Sequence, residues 1–155
     1  MEGEWLFLMD DDHRFDDDLV MKLLDHNLDV VTAITTKKFP PYAPVLYKDD
    51  REPIDLTGKS GLVEVYACGK PGMLIRRHVL EDIPDPWCEY QDSEMGAEDF
   101  DLCAKIRKAG YTIHADLDIP LGHMAPYTAY KTKDNNGKWG TTLALDSQGG
   151  VFLPD

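Results

Sequence analysis

Cysteine is scarce in this chain: Cys68, Cys88 and Cys103 are widely spaced, with no C-x-x-C pair, and any single disulfide would leave one over. They read as reduced core residues of a cytosolic protein rather than as a bridge or a zinc site. Long hydrophobic runs are lacking too. The apolar run from Trp5 to Met9 is far shorter than the roughly 20 residues of a spanning helix, and the acidic opening Met1-Glu2-Gly3-Glu4 is not that of a signal peptide. Positive charge is in deficit, with 16 Lys and Arg against 29 Asp and Glu and a formal net charge of −13. Such a surface repels nucleic-acid phosphates and anionic lipid, which argues against nucleic acid and membrane as primary partners. An anionic small molecule would need a metal bridge or a local cluster of Lys and Arg. Internal repeats and low-complexity segments are absent.

What is present is the makings of one folded α/β domain. The 155 residues are 43% hydrophobic, regularly punctuated by Gly and Pro, enough to bury a core without staples. Trp5 to Met9, stopped abruptly by charge, has the pattern of a strand buried on both faces. Asp16 can cap a helix to about His26, and Val30 to Thr35 is β-branched, so strand, helix and strand suggest a βαβ unit. Three prolines make 37–44 an ordered loop. Strands follow at Val45 to Lys48 and Leu62 to Ala67, separated by a polar, mobile connection from Asp49 to Gly61. Met73 to Arg76 is another apolar strand before a helical turn from His78 to Ile83. A second helix runs from Glu98 to Ala109, with Phe100, Cys103, Ala104 and Ile106 as its inner stripe and Gly110 as C′. Tyr111 to Ala115 is a strand, and Asn136-Gly137 marks a hairpin.

Three constellations could carry chemistry. Asp10, Asp11 and Asp12 crowd carboxylates where the first strand ends, and they repel one another unless solvent or a cation compensates. A hard divalent cation there, with His123 as a distant partner, is one reading; an imidazole shifts preference from Mg²⁺ toward Mn²⁺. A solvated acidic turn is the other. An EF-hand is excluded, because loop position five would be Arg14 and the obligatory glycine at position six is Phe15. Glu98 and Asp99 open the second helix, where acids complement the helix dipole or could serve as a general base. Gly69-Lys70-Pro71-Gly72 lacks P-loop spacing, so its glycines read as tight backbone geometry; Lys70, Arg76 and Arg77 could face a phosphate or simply be solvated.

In their order these pieces resemble GT-A type glycosyltransferases, in particular family 2 and related bacterial and phage members. The resemblance is carried by Trp5-Leu6-Phe7-Leu8-Met9-Asp10-Asp11-Asp12-His13 as a D-x-D strand end, Gly69-Lys70-Pro71-Gly72-Met73-Leu74-Ile75-Arg76-Arg77, Pro86-Trp87, Glu98-Asp99-Phe100-Asp101-Leu102-Cys103 and Leu121-Gly122-His123. It implies a truncated GT-A, Rossmann-like fold with a mixed central sheet flanked by helices over residues 1–126. Residues 127–155 carry no motif of the family; with the Asn136-Gly137 hairpin they form a C-terminal β-hairpin extension, read as a lid, an acceptor-side flap or a dimer arm. The resemblance also implies that Asp10, Asp12 and His123 are metal ligands for Mn²⁺ or Mg²⁺. Asp10, Asp11, Gly69, Gly72, Arg76 and Trp87 would contact substrate, with Trp87 stacking on the acceptor side. Asp99 would be the base of an inverting transfer, with Glu98 its companion.

Family members place a nucleotide-binding half ahead of the D-x-D, whereas here Asp10 stands almost at the start of the chain. The pocket for the base and most of the ribose is therefore expected to be missing. A shortened sheet exposes an edge, which favours homo-oligomerisation. The expected activity is metal-dependent transfer of sugar from a nucleotide-diphosphate sugar to an acceptor hydroxyl. Two alternatives are a nucleotide-sugar hydrolase, with water as acceptor, and a non-catalytic metal- or sugar-binding interaction module.

Overall fold

The computed structural model describes residues 3–49, 52–89, 98–144 and 150–154. In chain order they form β1 (Trp5–Leu8), β2 (His13–Arg14), α1 (Leu19–Asp25), β3 (Val30–Ile34), β4 (Leu46–Tyr47), β5 (Leu62–Val65), β6 (Ala67–Cys68), β7 (Met73–Arg76), α2 (Arg77–Asp82), α3 (Glu98–Lys108), β8 (Ile113–Pro120), β9 (Gly122–Met124), β10 (Thr128–Lys133), β11 (Trp139–Ala144) and β12 (Gly150–Pro154). The central sheet has the order β1-β7-β3-β8-β5 and is mixed, with β3 and β8 its parallel pair. An antiparallel sheet, β12-β11-β10-β9-β2, and the small pair β4-β6 complete the architecture.

Alternation along the central strands assigns the two faces. Val31, Ala33 and Leu74 point to one side, where they meet Leu19 and Leu23 of α1 together with Ile119 and Leu121. Val30, Ile34, Met73 and Ile75 point to the other, into a larger core with Val79 and Leu80 of α2 and Leu102, Cys103 and Ile106 of α3. Leu19 and Leu23 are fully buried. At about 1.5–3 kcal/mol each, they outweigh anything a seven-residue helix without a side-chain cap can supply for itself.

The structure departs from the sequence reading in several places, each for a physical reason. β1 is an edge strand whose four residues are only half-buried, not a strand covered on both faces. β1 and β3 do run parallel with α1 between them, but β7 inserts antiparallel to both. α1 begins at Leu19 rather than after Asp16; the Asp16 carbonyl, not its side chain, receives the Leu19 N–H at 3.0 Å.

The single strand expected from Leu62 to Ala67 breaks at Tyr66, with β5 in the central sheet and β6 paired to β4. Val65 and Ala67 bury in the same core, so the period-two pattern runs unbroken across the change of sheet. The described part of the supposedly mobile connection is anchored: Ile54 and Leu56 are buried, and the Ile54 N–H bonds the Leu46 carbonyl at 2.9 Å. Residues 50 and 51 lie outside the described residues. In α3, Leu102 takes the buried position given to Ala104, which is exposed. Cys68 and Cys103 are buried free thiols, but Cys88 is exposed rather than part of the core.

The expected hairpin is present. Gly137 has φ +78°, the Asp134 N–H bonds the Lys138 carbonyl at 2.9 Å, and Lys133 faces Trp139 across the ladder. β10 also pairs with β9, and β9 with β2, so the C-terminal strands share one sheet with the segment that follows the aspartates. No helix among the described residues is long and apolar enough to cross a membrane.

Candidate functional site

Pairing of β2 with β9 builds the site. It sets His13 opposite His123, and the two imidazoles stack with centroids 4.4 Å apart and planes 25° from parallel. The Met124 N–H bonds the Asp12 carbonyl at 2.8 Å and locks the end of the aspartate turn to β9. The Asp12 carboxylate then spans the edges of the stacked rings, Oδ1 3.1 Å from His13 Nδ1 and Oδ2 3.3 Å from His123 Nε2. Ligand atoms of Asp12, His13 and His123 all lie within 4.8 Å of one another. Asp10 and Asp11 are exposed and stand outside this group, Asp10 close enough only to favour a charged His13.

Two consecutive threonines hold the far nitrogens of both rings. His123 Nδ1 is 2.9 Å from the Thr36 carbonyl, which can only accept, so Nδ1 carries the proton and Nε2 faces Asp12. His13 Nε2 contacts Thr35 Oγ1 at 3.4 Å. His13 is held neutral, its pKa lowered by burial first and by His123 second. Its Nδ1 is buried and, although near Asp12, makes no hydrogen bond among the described residues. Lys38 Nζ bonds Asp12 Oδ2 at 2.8 Å; this hydrogen bond is the largest cause that holds the Asp12 carboxyl below its ordinary pKa, with the two histidines assisting against partial burial.

A second cluster lies at the same end of the central sheet. The Thr35 carbonyl accepts the Val45 N–H at 3.0 Å, and the Val45 carbonyl accepts the Gly69 N–H at 3.1 Å. Two such rungs separate Thr35, which the His13 ring contacts, from Gly69 by roughly 10 Å at the usual strand spacing. A Cβ on Gly69 would press on Val45 Cγ1 at 3.1 Å and meet Asp99 Oδ2 in ordinary contact at 3.7 Å, so the backbone here runs beside the carboxylate. Lys70 Nζ is 2.9 Å from Glu98 Oε1 and 3.4 Å from Asp99 Oδ1. Burial pushes the Asp99 pKa up, Lys70 opposes it, and Glu98 adds to the rise. Asp99 Oδ1 is buried without a hydrogen-bond partner among the described residues. Glu98, by contrast, is held low by its bond to Lys70. The two acids of one helical turn are thus driven apart, an arrangement suited to one ionised anchor and one proton acceptor.

The other sequence candidates are placed differently. Gly72, with φ +79°, occupies the third position of a turn closed by Met73 N–H to Lys70 C=O at 3.0 Å, with Pro71 at the second. This is type II turn chemistry, and Gly72 also bridges the Leu8 carbonyl and the Ala33 N–H. Gly72→Ala is expected to destabilise the fold by about 1–2 kcal/mol, because its Cβ would also press on Leu121 and Ala33 at 3.1 and 3.2 Å. Thermal unfolding checks this, with metal-induced stabilisation unchanged. Arg76 faces Trp5, at the opposite end of β1 from the aspartates and on the order of 10 Å along the strands. It stacks on the Trp5 ring and pairs with Asn27 and Asp29, so it does not meet a phosphate held at Asp12. Trp87 is half-buried and packs against the main core, close to the start of α3, where the Glu89 N–H bonds Asp101.

Sequence reasoning missed His13 as a partner of His123 and Lys38 as a partner of Asp12. His13 was legible only as the residue after the aspartates, since a two-residue strand paired across more than a hundred residues leaves no periodic trace.

Fold and site together define an α/β protein with a mixed five-stranded sheet and an Asp-His-His cluster at the end of its edge strand. No family model matches the chain, and no curated protein matches it. Among solved structures it is similar to the one titled "Crystal Structure of A197 from STIV", at 18% identity and a TM-score of 0.60, over 97% of this chain and 70% of that one. At that identity the likeness shows the fold alone.

Proposed function

We propose that this chain is a metal-dependent protein of GT-A glycosyltransferase type that acts on a nucleotide-diphosphate sugar and transfers the sugar to an acceptor hydroxyl. The observation that carries the reading is the convergence of Asp12 and His123 to 3.3 Å at the same end of the sheet as the half-buried Asp99, whose pKa is raised. The donor set fits a cation, because each imidazole presents one nitrogen to Asp12 while its other nitrogen is held by a threonine. Asp12 and His123 would hold the ion, and Mn²⁺ suits nitrogen donors better than Mg²⁺. When bound, the cation would neutralise charge on the diphosphate leaving group. The Asp99 carboxylate, 24% exposed, accepts the acceptor's proton, while Lys70 stands 3.4 Å from its buried Oδ1 and anchors Glu98. Placement of β1 at the sheet edge supports the expectation of a second copy docking there.

One observation favours a second reading, a non-catalytic interaction module. Lys38 already compensates Asp12, so the cluster can be neutral without an ion. Incubation with a panel of nucleotide-sugars and Mn²⁺ separates the readings through release of nucleoside diphosphate and free sugar. Acceptor-dependent release supports transfer, and release into water alone supports hydrolysis. No release together with no calorimetric binding removes both enzyme readings.

A further inference from the structure

We propose that the cluster is a two-imidazole, one-carboxylate metal centre in which His13 is the third ligand, and that Lys38 regulates it by competing with the ion for Asp12. The proposal deepens the reading above and rests on its premise that Asp12 and His123 hold a divalent cation.

His13 is the first support. Its side chain is 1% exposed, yet among the described residues Nδ1 makes no hydrogen bond, although it stands 3.1 Å from Asp12 Oδ1. A buried imidazole nitrogen without a partner is destabilising unless something else takes its lone pair or its proton. The outer contacts are the second support. Metal-bound histidines present their remaining ring nitrogen to a carbonyl, carboxylate or other fixed group, which sets the ring's orientation. Here the adjacent residues Thr35 and Thr36 do so for both rings. A merely structural histidine stack would not require both inner nitrogens to converge on one carboxylate. Two nitrogens and one carboxylate suit the borderline ion Zn²⁺, and Mn²⁺ accepts imidazole more readily than Mg²⁺, which prefers an all-oxygen octahedron.

Lys38 supplies the regulation. Its ammonium lies 2.8 Å from Asp12 Oδ2, the same oxygen that faces His123 Nε2. An ion on that oxygen meets a like charge, so occupancy requires Lys38 to swing aside. Lys38 sits in the proline-bearing loop, at 35% side-chain exposure, and can do so into solvent.

The test is calorimetric titration of the whole chain with ZnCl₂, MnCl₂ and MgCl₂, for wild type, His13→Asn and Lys38→Met. Zn²⁺ or Mn²⁺ is expected to bind one site at least about tenfold more tightly than Mg²⁺. His13→Asn is expected to weaken binding by at least about tenfold. Lys38→Met is expected to tighten it about three- to fivefold, the size of a half-exposed ion pair. Zn²⁺, which is diamagnetic, is also expected to shift the ring nitrogen resonances of both His13 and His123 in the wild type by direct ligation, a readout that does not depend on the His13 variant folding.

Equal affinities in wild type and a normally melting His13→Asn, unchanged affinity in Lys38→Met, preference for Mg²⁺, or a Zn²⁺-induced ring nitrogen shift at His123 alone would each overturn the proposal. Metal binding of the stated kind without nucleoside diphosphate release would sustain it while removing the catalytic reading. Release that is indifferent to His13→Asn would overturn it and leave that reading standing.

Discussion

Asp99→Asn is expected to lower nucleoside diphosphate release by about 10²–10⁴-fold and, in the same protein, to raise the melting temperature at pH 7. The two effects share one cause. Burial raises the Asp99 pKa, so its charged form is disfavoured in the folded state relative to the unfolded one. For an acid shifted in this direction, the folded state is best off while the carboxyl is protonated, below the unfolded value of about 3.9. That advantage is lost as pH rises from there through the raised folded pKa. An amide never ionises, so the variant keeps what the wild type loses, and the two melting curves should converge again below about pH 4. Reduced release with an unchanged or lowered melting temperature at pH 7 would mean that Asp99 is not strained by its burial. Undiminished release would remove it as the base.

How much of this was legible in the sequence depended on how local each signal was. The apolar stretches that became β1, β3 and β7, the helix α3 and the hairpin around Gly137 all announce themselves within a dozen residues, through periodicity or turn chemistry. The sheet order does not. Nothing in the run Met73–Arg76 says that it lies between β1 and β3, because its alternation is satisfied by any sheet with helices on both faces. Val65 and Ala67 deceived for a related reason: both bury in one core from two different sheets, and burial is what the pattern records.

The site follows the same rule. Asp12 and His123 could be picked out because carboxylate clusters and lone histidines have few uses, but their proximity is a product of β2–β9 pairing. Lys38 lies in a loop where lysine is unremarkable, and only the fold brings its ammonium to Asp12. Arg76 shows the opposite error. Sequence adjacency to the glycine turn suggested a phosphate contact, but a strand carries its two ends apart at about 3.3 Å per residue. Its guanidinium ends over Trp5, at the far end of β1 from the acidic turn.

Gly122→Ala is expected to lower stability by about 2–3 kcal/mol and to weaken metal binding together with it, although Gly122 offers no ligand atom. A Cβ at this position would stand 2.4 Å from Tyr130 Cε1, 2.5 Å from Cζ and 2.7 Å from Thr128 Cγ2. The Tyr130 ring of the neighbouring strand occupies the space a side chain at Gly122 would need. Relief can come from Tyr130 swinging out or from β9 moving away from β10, and the second route displaces the next residue, His123, from Asp12. At about 2–4 °C per kcal/mol for a chain of this size, the loss is readable as a clear fall in melting temperature. Tyr130→Ser removes the ring, so in the double variant the penalty of Gly122→Ala should shrink by most of its value, a coupling that a double-mutant cycle measures directly. A penalty that persists in full without the ring would place the strain in the backbone or at Thr128. A neutral Gly122→Ala would show that Tyr130 yields freely and has no part in positioning His123.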